Sequence, residues 1–225
     1  MEGLEQSVIE CAPHSRTRRA TGDAEEVLFV VAGRGELRIG GGETYALEPV
    51  TGVNLGPGQE YELHNDGSDP LRAVSVRIGA PGPQTGGGPA RTLIRRLADQ
   101  EAQNATTDRT YRIVADPSTG LRSATQFVGY VPTERAPEHF HTYDEVIYLL
   151  DGEGTFHTAA GEHIPVKAGS CIELSARTVH CLENTGQDVM RLVAVFRPPG
   201  SPAAAYYPDG TPAYPGTPEL TTPNT

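Results

Sequence analysis

The sequence contains no tryptophan, two methionines and a single lysine, Lys167, so imine-forming chemistry would have only that one side-chain amine to use. Basic residues are scarce: 18 Lys and Arg stand against 29 Asp and Glu, a net charge of −11. The deficit is evenly spread, 7 basic against 13 acidic side chains in residues 1–90 and 11 against 16 in residues 91–225, so no basic tail or face is offered to nucleic acid. The longest apolar run, Val27 to Ala32, is far short of the ~20 residues of a membrane span. The opening MEGLEQSVIECAPHSRTRRA lacks the apolar centre of a secretory signal, which gives a cytoplasmic expectation. Three cysteines, Cys11, Cys171 and Cys181, have no CxxC spacing and read as reduced thiols. What is plentiful is glycine and proline, 26 and 19 in 225 residues, which suits short strands joined by tight turns better than long helices.

Shifting the chain by 119 residues lays it on itself without a gap from about Pro13 to Val76. Pro13 falls on Pro132, Glu26 on Glu145, Gly33 and Gly35 on Gly152 and Gly154, Asn65 on Asn184, and Val74 and Val76 on Val193 and Val195. Two copies of one all-β domain follow. EEVLFVVAG and GELRIGGG in the first copy, with DEVIYLLDG and GTFHTAAG in the second, read as β-branched and aromatic strands punctuated by glycine. The expected division is a first barrel over residues 1–78, a Gly/Pro linker over 79–90, a second barrel over 91–199 and a Pro-rich, extended tail over 200–225 that Tyr206, Tyr207 and Tyr214 could pin down. Between linker and second repeat, RTLIRRLADQEAQ fits a short helix and RTYRIVAD a strand, without a counterpart in the first copy.

In the second copy, His139 and His141 stand two apart, so on a strand both imidazoles project from one face. Glu145 follows after three residues, and His180 comes 35 residues later, four before Asn184. Three imidazoles and a carboxylate suit a divalent transition metal and leave coordination positions open for substrate, water or O₂. Fe(II) or Mn(II) is expected first, with Ni(II), Cu(II) and Zn(II) as alternatives. At this point the sequence resembles the cupin family. Its first motif, G-x5-HxH-x3,4-E-x6-G, is matched by His139, His141, Glu145 and Gly152; in its second, G-x5-PxG-x2-H-x3-N, His180 and Asn184 are in place while Ser175, Ala176 and Arg177 occupy the proline-x-glycine turn. The resemblance implies two tandem jelly-roll β-barrels with a metal in the second, held by His139, His141, Glu145 and His180. At the same offset the first copy has Ala20, Gly22, Glu26 and Tyr61, so only the carboxylate survives and that barrel is expected to be metal-free. His14 and His64 are off register. His157 and His163 are expected at the surface or rim, and Cys181 to point away from His180.

Alternation turns Ile147 and Leu149 to the side of Glu145 and Leu182 to the side of His180, giving the metal an apolar wall. Gln126 and Tyr130 would orient substrate if the even face of their strand points inward, and Arg177 could take a substrate carboxylate. The leading expectation is a dioxygenase-type oxidoreductase acting on a small organic molecule, aromatic or keto-acid, with Glu145 as a possible base. The alternatives are a non-redox metal-dependent lyase, isomerase or hydrolase and a non-catalytic binding or regulatory two-barrel protein. A monomer or homodimer is expected, with a small-molecule substrate as its partner.

Overall fold

The structure, a computed structural model, describes residues 3–40, 42–79, 93–105 and 108–220. Residues 80–92, which hold nearly all of the expected linker, lie outside the described residues. The chain forms two compact units, Glu2–Gln100 with Ile113–Gln126, and Glu101–Arg112 with Phe127–Thr225. The described elements are strands and two short 3₁₀ turns, and no helix among the described residues is long and apolar enough to cross a membrane.

The first unit holds β1 (Leu4–Cys11), β2 (Ser15–Ala20), β3 (Glu25–Ala32), β4 (Gly35–Ile39), β5 (Glu43–Leu47), β6 (Thr51–Leu55), β7 (Glu60–Asn65), β8 (Leu71–Ile78) and β9 (Leu93–Arg96). They make a five-stranded sheet in the order β1-β8-β3-β6-β9 and a four-stranded sheet in the order β2-β7-β4-β5. Leu28 and Val30 from the larger sheet and Leu37, Ile39 and Leu63 from the smaller enter one buried cluster, the core that two half-apolar faces must share.

The remaining strands are β10 (Gln103–Asn104), β11 (Thr110–Ala115), β12 (Thr125–Val131), β13 (Asp144–Asp151), β14 (Glu153–Thr158), β15 (His163–Lys167), β16 (Cys171–Leu174), β17 (His180–Asn184) and β18 (Met190–Arg197). Their sheet orders are β10-β11-β12-β18-β13-β16 and β15-β14-β17. The repeat is kept in fine detail. β3 and β13 differ by 119 residues at both ends, as do β8 and β18. The bulge between Val30 and Ala32 recurs between Leu149 and Asp151, and is followed in both copies by a glycine with positive φ, Gly33 and Gly152. Asn65 and Asn184 do the same work: each side-chain amide donates to Asp69 O or Asp188 O (2.9 and 2.8 Å), and each Oδ1 accepts from the amide of Gly67 or Gly186 (2.9 Å).

Two expectations change. The expected second barrel does not open at its first described residues: Leu93–Arg96 is a strand, not a helix, and pairs antiparallel with β6, satisfying the backbone of what would otherwise be an open sheet edge. Ile113–Gln126 also belongs with the first unit, where Glu25 accepts the amides of Arg122 (2.9 Å) and Ser123 (3.0 Å). The tail is described to residue 220, and one of its expected tyrosines holds it. Tyr206 is buried, exchanges backbone hydrogen bonds with Phe140 and stacks on its ring, whereas Tyr207 is exposed. All three cysteines are free, with Cys11 and Cys181 buried and Cys171 exposed.

Candidate metal centre

His139 and His180 are brought together by the backbone. Each donates its amide to the other's carbonyl, at 3.0 and 2.9 Å, and the ring centroids sit 4.7 Å apart. His141 is positioned by the turn that replaces the proline-x-glycine motif: Arg177, at φ 65°, donates its amide to His141 O at 2.7 Å, and Thr178 closes the turn onto Ser175 O. Among the described residues His139, His141 and His180 form a group whose potential ligand atoms lie within 4.8 Å of one another, all three buried.

The second nitrogens fix the tautomers. His139 Nδ1 faces Pro137 O at 3.1 Å, His141 Nδ1 faces Ala204 O at 2.9 Å, and His180 Nδ1 faces Thr178 O at 2.9 Å. A carbonyl only accepts, so each Nδ1 carries the hydrogen and each Nε2 keeps its lone pair. That is the pattern by which outer partners orient metal-ligating imidazoles. Burial, first of all causes, lowers the pKa of each ring, that of His141 to about 3, so all three are neutral and ligand-competent at pH 7.

Glu145, on β13, is 5 % exposed and lines the same cavity. Its carboxylate is not among the mutually close ligand atoms, has no hydrogen-bond partner in the described chain, and burial alone raises its pKa to about 8. A buried carboxyl without a partner beside three oriented lone pairs fits a cation, which would remove that desolvation penalty. These residues could therefore hold a divalent metal.

The cavity offers about 80 Å³ to solvent and is lined by Tyr111, Phe127, Ile147, Leu182, Leu192 and Phe196 around the three histidines and Glu145. Tyr130 lines it as well. Gln126, Leu149 and Arg177 do not. Gln126 packs with the first unit, where its Oε1 lies 3.5 Å from the position of a Cβ on Gly52 and has no hydrogen-bond partner. Leu149 shares the face of Glu145, but four residues of strand carry it ~13 Å further along, past the end of the cavity. Arg177 spends its left-handed backbone on the turn under His141 and exposes its side chain.

A different arginine lines the cavity. Arg109, on the segment before β11, lines the cavity, donates from Nη2 to Leu182 O, and has a buried Nε without a hydrogen-bond partner. It has no ion-pair partner among the described residues, and burial lowers its pKa. Sequence reasoning passed over it because its segment has no counterpart in the first copy; a lone arginine there carries no signal of its own.

In the first barrel Glu26 is fully buried. It accepts from Tyr61 Oη at 3.0 Å, Ser75 Oγ at 2.6 Å and Arg19 Nη2 at 3.4 Å, with Arg77 Nη1 3.8 Å from its second oxygen. Arginines supply the positive charge there. His64 lies beside Asp66 and Glu36, apart from that network, and His14 sits in a turn at φ 52°.

Residues 126–196 match the family model described as the cupin domain. Among curated proteins, auxin-binding protein 1 of Arabidopsis thaliana is 34% identical over 79 residues, 31% of this chain and 40% of that protein. An oxalate-binding protein of Thermotoga maritima is 38% identical over 52 residues, 23% of this chain and 42% of that protein. The chain thus spans about two fifths of the length of these relatives. Of solved structures, a protein described as glyoxylate-induced, from Pseudomonas aeruginosa, superimposes with a TM-score of 0.72 at 20% identity, over 86% of this chain and 74% of that one. A variant of the Bacillus subtilis oxalate decarboxylase gives 0.67 at 13% identity, over 87% and 69%. At such identities the likeness concerns the fold, two jelly-roll barrels in tandem.

Proposed function

We propose, from the premise that the second barrel is a cupin domain, that this protein is a metal-dependent oxidoreductase of the dioxygenase type whose substrate is a small carboxylate such as a keto acid. The observation that carries the reading is the cavity itself, which sets three Nδ1-tethered histidines and Glu145 beside an unpaired, buried Arg109 Nε. Its 80 Å³ holds about three waters at about 30 Å³ each, which suits a short acid better than an aromatic ring system.

His139, His141, His180 and Glu145 would hold the ion, which supplies Lewis acidity and, as Fe(II) or Mn(II), an electron source for O₂. Arg109 binds the substrate carboxylate; its Nε can give a charge-assisted hydrogen bond that the folded chain leaves unmade. Phe127, Ile147, Leu182, Leu192 and Phe196 exclude water around the reacting group. Glu145 would act as the base on leaving the ion, taking or returning a proton at its carboxylate. The relatives named for oxalate support an acid as the substrate class. They also favour the second reading, a non-redox lyase acting on the same acid, in which Glu145 hands a proton to the product.

The test loads the protein separately with Fe(II), Mn(II), Ni(II) and Cu(II) and follows oxygen uptake and product across short keto acids and dicarboxylates. Oxygen uptake coupled to product, lost in His180→Ala and shifted at least tenfold in KM in Arg109→Gln, is the expected result. Turnover that persists without oxygen selects the lyase. Absence of turnover with every ion, together with retained binding of the acid, would leave a non-catalytic binding protein.

A further inference from the structure

A second imidazole cluster lies on the opposite face of the small sheet. Phe156 stacks on His180, with ring centroids 5.9 Å apart, so the neighbouring His157 on β14 and the alternate Glu183 on β17 point away from the cavity. His157 and His163 are direct cross-strand partners on β14 and β15. Their Nδ1 atoms face each other at 2.7 Å, and His157 Nε2 meets Glu183 Oε2 at 2.7 Å.

The hydrogen bookkeeping has one solution for neutral rings beside an ionised carboxylate. Glu183 only accepts, so His157 carries its hydrogen on Nε2 and offers the Nδ1 lone pair; His163 must then donate from Nδ1. His157 is 6 % exposed and held by Glu183, whereas His163 is exposed and free to turn. A histidine anchored through one nitrogen by a carboxylate, with its other nitrogen aimed at a second histidine, is the arrangement that carboxylate–histidine–metal sites use. The barrel architecture does not require it: 119 residues earlier the pair is Arg38 and Thr44.

We infer that His157 and His163 form a second transition-metal site, distinct from the cavity, with Glu183 as the outer partner that orients His157. Zn(II), Cu(II) or Ni(II) are the ions that two imidazoles with open water positions would take. The ion occupies the place of the shared hydrogen. The proton on His163 Nδ1 moves to its Nε2, so neither ring changes charge. Two nitrogens bound to one tetrahedral ion at ~2.05 Å stand about 3.3 Å apart, so the pair must open by some tenths of an ångström, which the exposed ring of His163 allows.

Equilibrium dialysis against Zn(II) tests the assignment in the full chain, His163→Ala, the double variant His139→Ala, His180→Ala, and Glu183→Gln. The wild type should bind one equivalent more than His163→Ala, the double variant should keep that equivalent, and Glu183→Gln should weaken it about tenfold. Ni(II) added to the double variant should broaden the ring proton signals of His157 and His163 ahead of other histidines. If His163→Ala binds as many equivalents as the wild type with unchanged affinity, or Ni(II) leaves those two rings sharp, the pair is a hydrogen-bonded surface feature and the inference fails. The cavity's own occupancy is read independently, from the equivalent that His163→Ala retains.

Discussion

Tyr61→Phe removes one oxygen from the first barrel and asks whether a protein network has taken over the work of a metal. The phenol donates to Glu26 at 3.0 Å and accepts from Arg19 Nε at 3.0 Å. Arg19 is 29% exposed at its side chain and can find water instead, so its loss is small. Glu26 has no exposure, and its second oxygen already lacks a hydrogen bond. Losing a hydrogen bond to a buried carboxylate costs about 1.5–3 kcal/mol, and the ring left in place opens no cavity. The two units need not unfold together, so a local probe is required. Native-state hydrogen exchange of the β7 and β3 amides should accelerate ~10- to 150-fold, while elemental analysis finds the metal content per chain unchanged. An acceleration of less than about twofold would refute the claim that the Tyr61 hydrogen bond holds the buried Glu26 carboxylate. A fall in metal content would refute the claim that the first barrel holds none.

In metal-free protein, Glu145→Gln should remove a pH dependence. The folded pKa of about 8 lies above the ordinary 4.5, a rise of 3.5, so the stability Glu145 contributes is full below 4.5 and lost as pH rises through 8; at about 1.4 kcal/mol per unit the loss is at most ~5 kcal/mol. Urea midpoints of metal-free wild type should therefore fall between pH 5 and 9 relative to the variant, and parallel curves would contradict the burial argument. His141 has the opposite sign: lowered from 6.5 to about 3, it contributes stability above 6.5 that is lost as pH falls toward 3, a trend His141→Gln should flatten in acid unfolding. Gly152→Ala should destabilise by more than ~2 kcal/mol, since φ is +86° and the added Cβ would lie 2.8 Å from Met190 Cβ. Gly161→Ala, at φ +80° with nothing within 4 Å, should cost only the ~1–2 kcal/mol of backbone strain, and equal thermal shifts for the two would count against the packing term.

The self-match at 119 residues made the tandem fold legible because strand length, bulge and turn glycine all repeat; Gly33 and Gly152 hold the same bend after the same bulge. The HxH-E spacing located the histidines although no strand carries them: His139 sits on an isolated bridge to His180, and His141 is held through its carbonyl by the Arg177 amide. What stayed hidden depended on long-range placement. Arg109 reaches the cavity from a segment with no repeat partner, and the pairing of Leu93–Arg96 with β6 is settled by an open sheet edge that no window of sequence displays. Leu149 shows the limit of alternation, which gives a side and says nothing of depth.

The two copies also differ where the gapless match says they should not. At constant offset His139 corresponds to Ala20, and His180 to Tyr61. Yet His139 forms an isolated bridge with His180, whereas the residue opposite Tyr61 is Arg19, and Ala20 pairs with Glu60. The register is displaced by one residue, and a one-residue slip exchanges the faces of a strand. Arg19 therefore stands in the first barrel where His139 stands in the second, and its guanidinium reaches Glu26 and the Tyr61 oxygen. Gly22, which matches His141 at the constant offset, has φ +59°, a conformation that a histidine would enter only under strain. Restoring histidines at positions 20, 22 and 61 would thus fail to rebuild the centre: the carboxylate is shared by both copies, but in one its counter-charge is built into the chain and in the other three oriented lone pairs are set to receive it from solution.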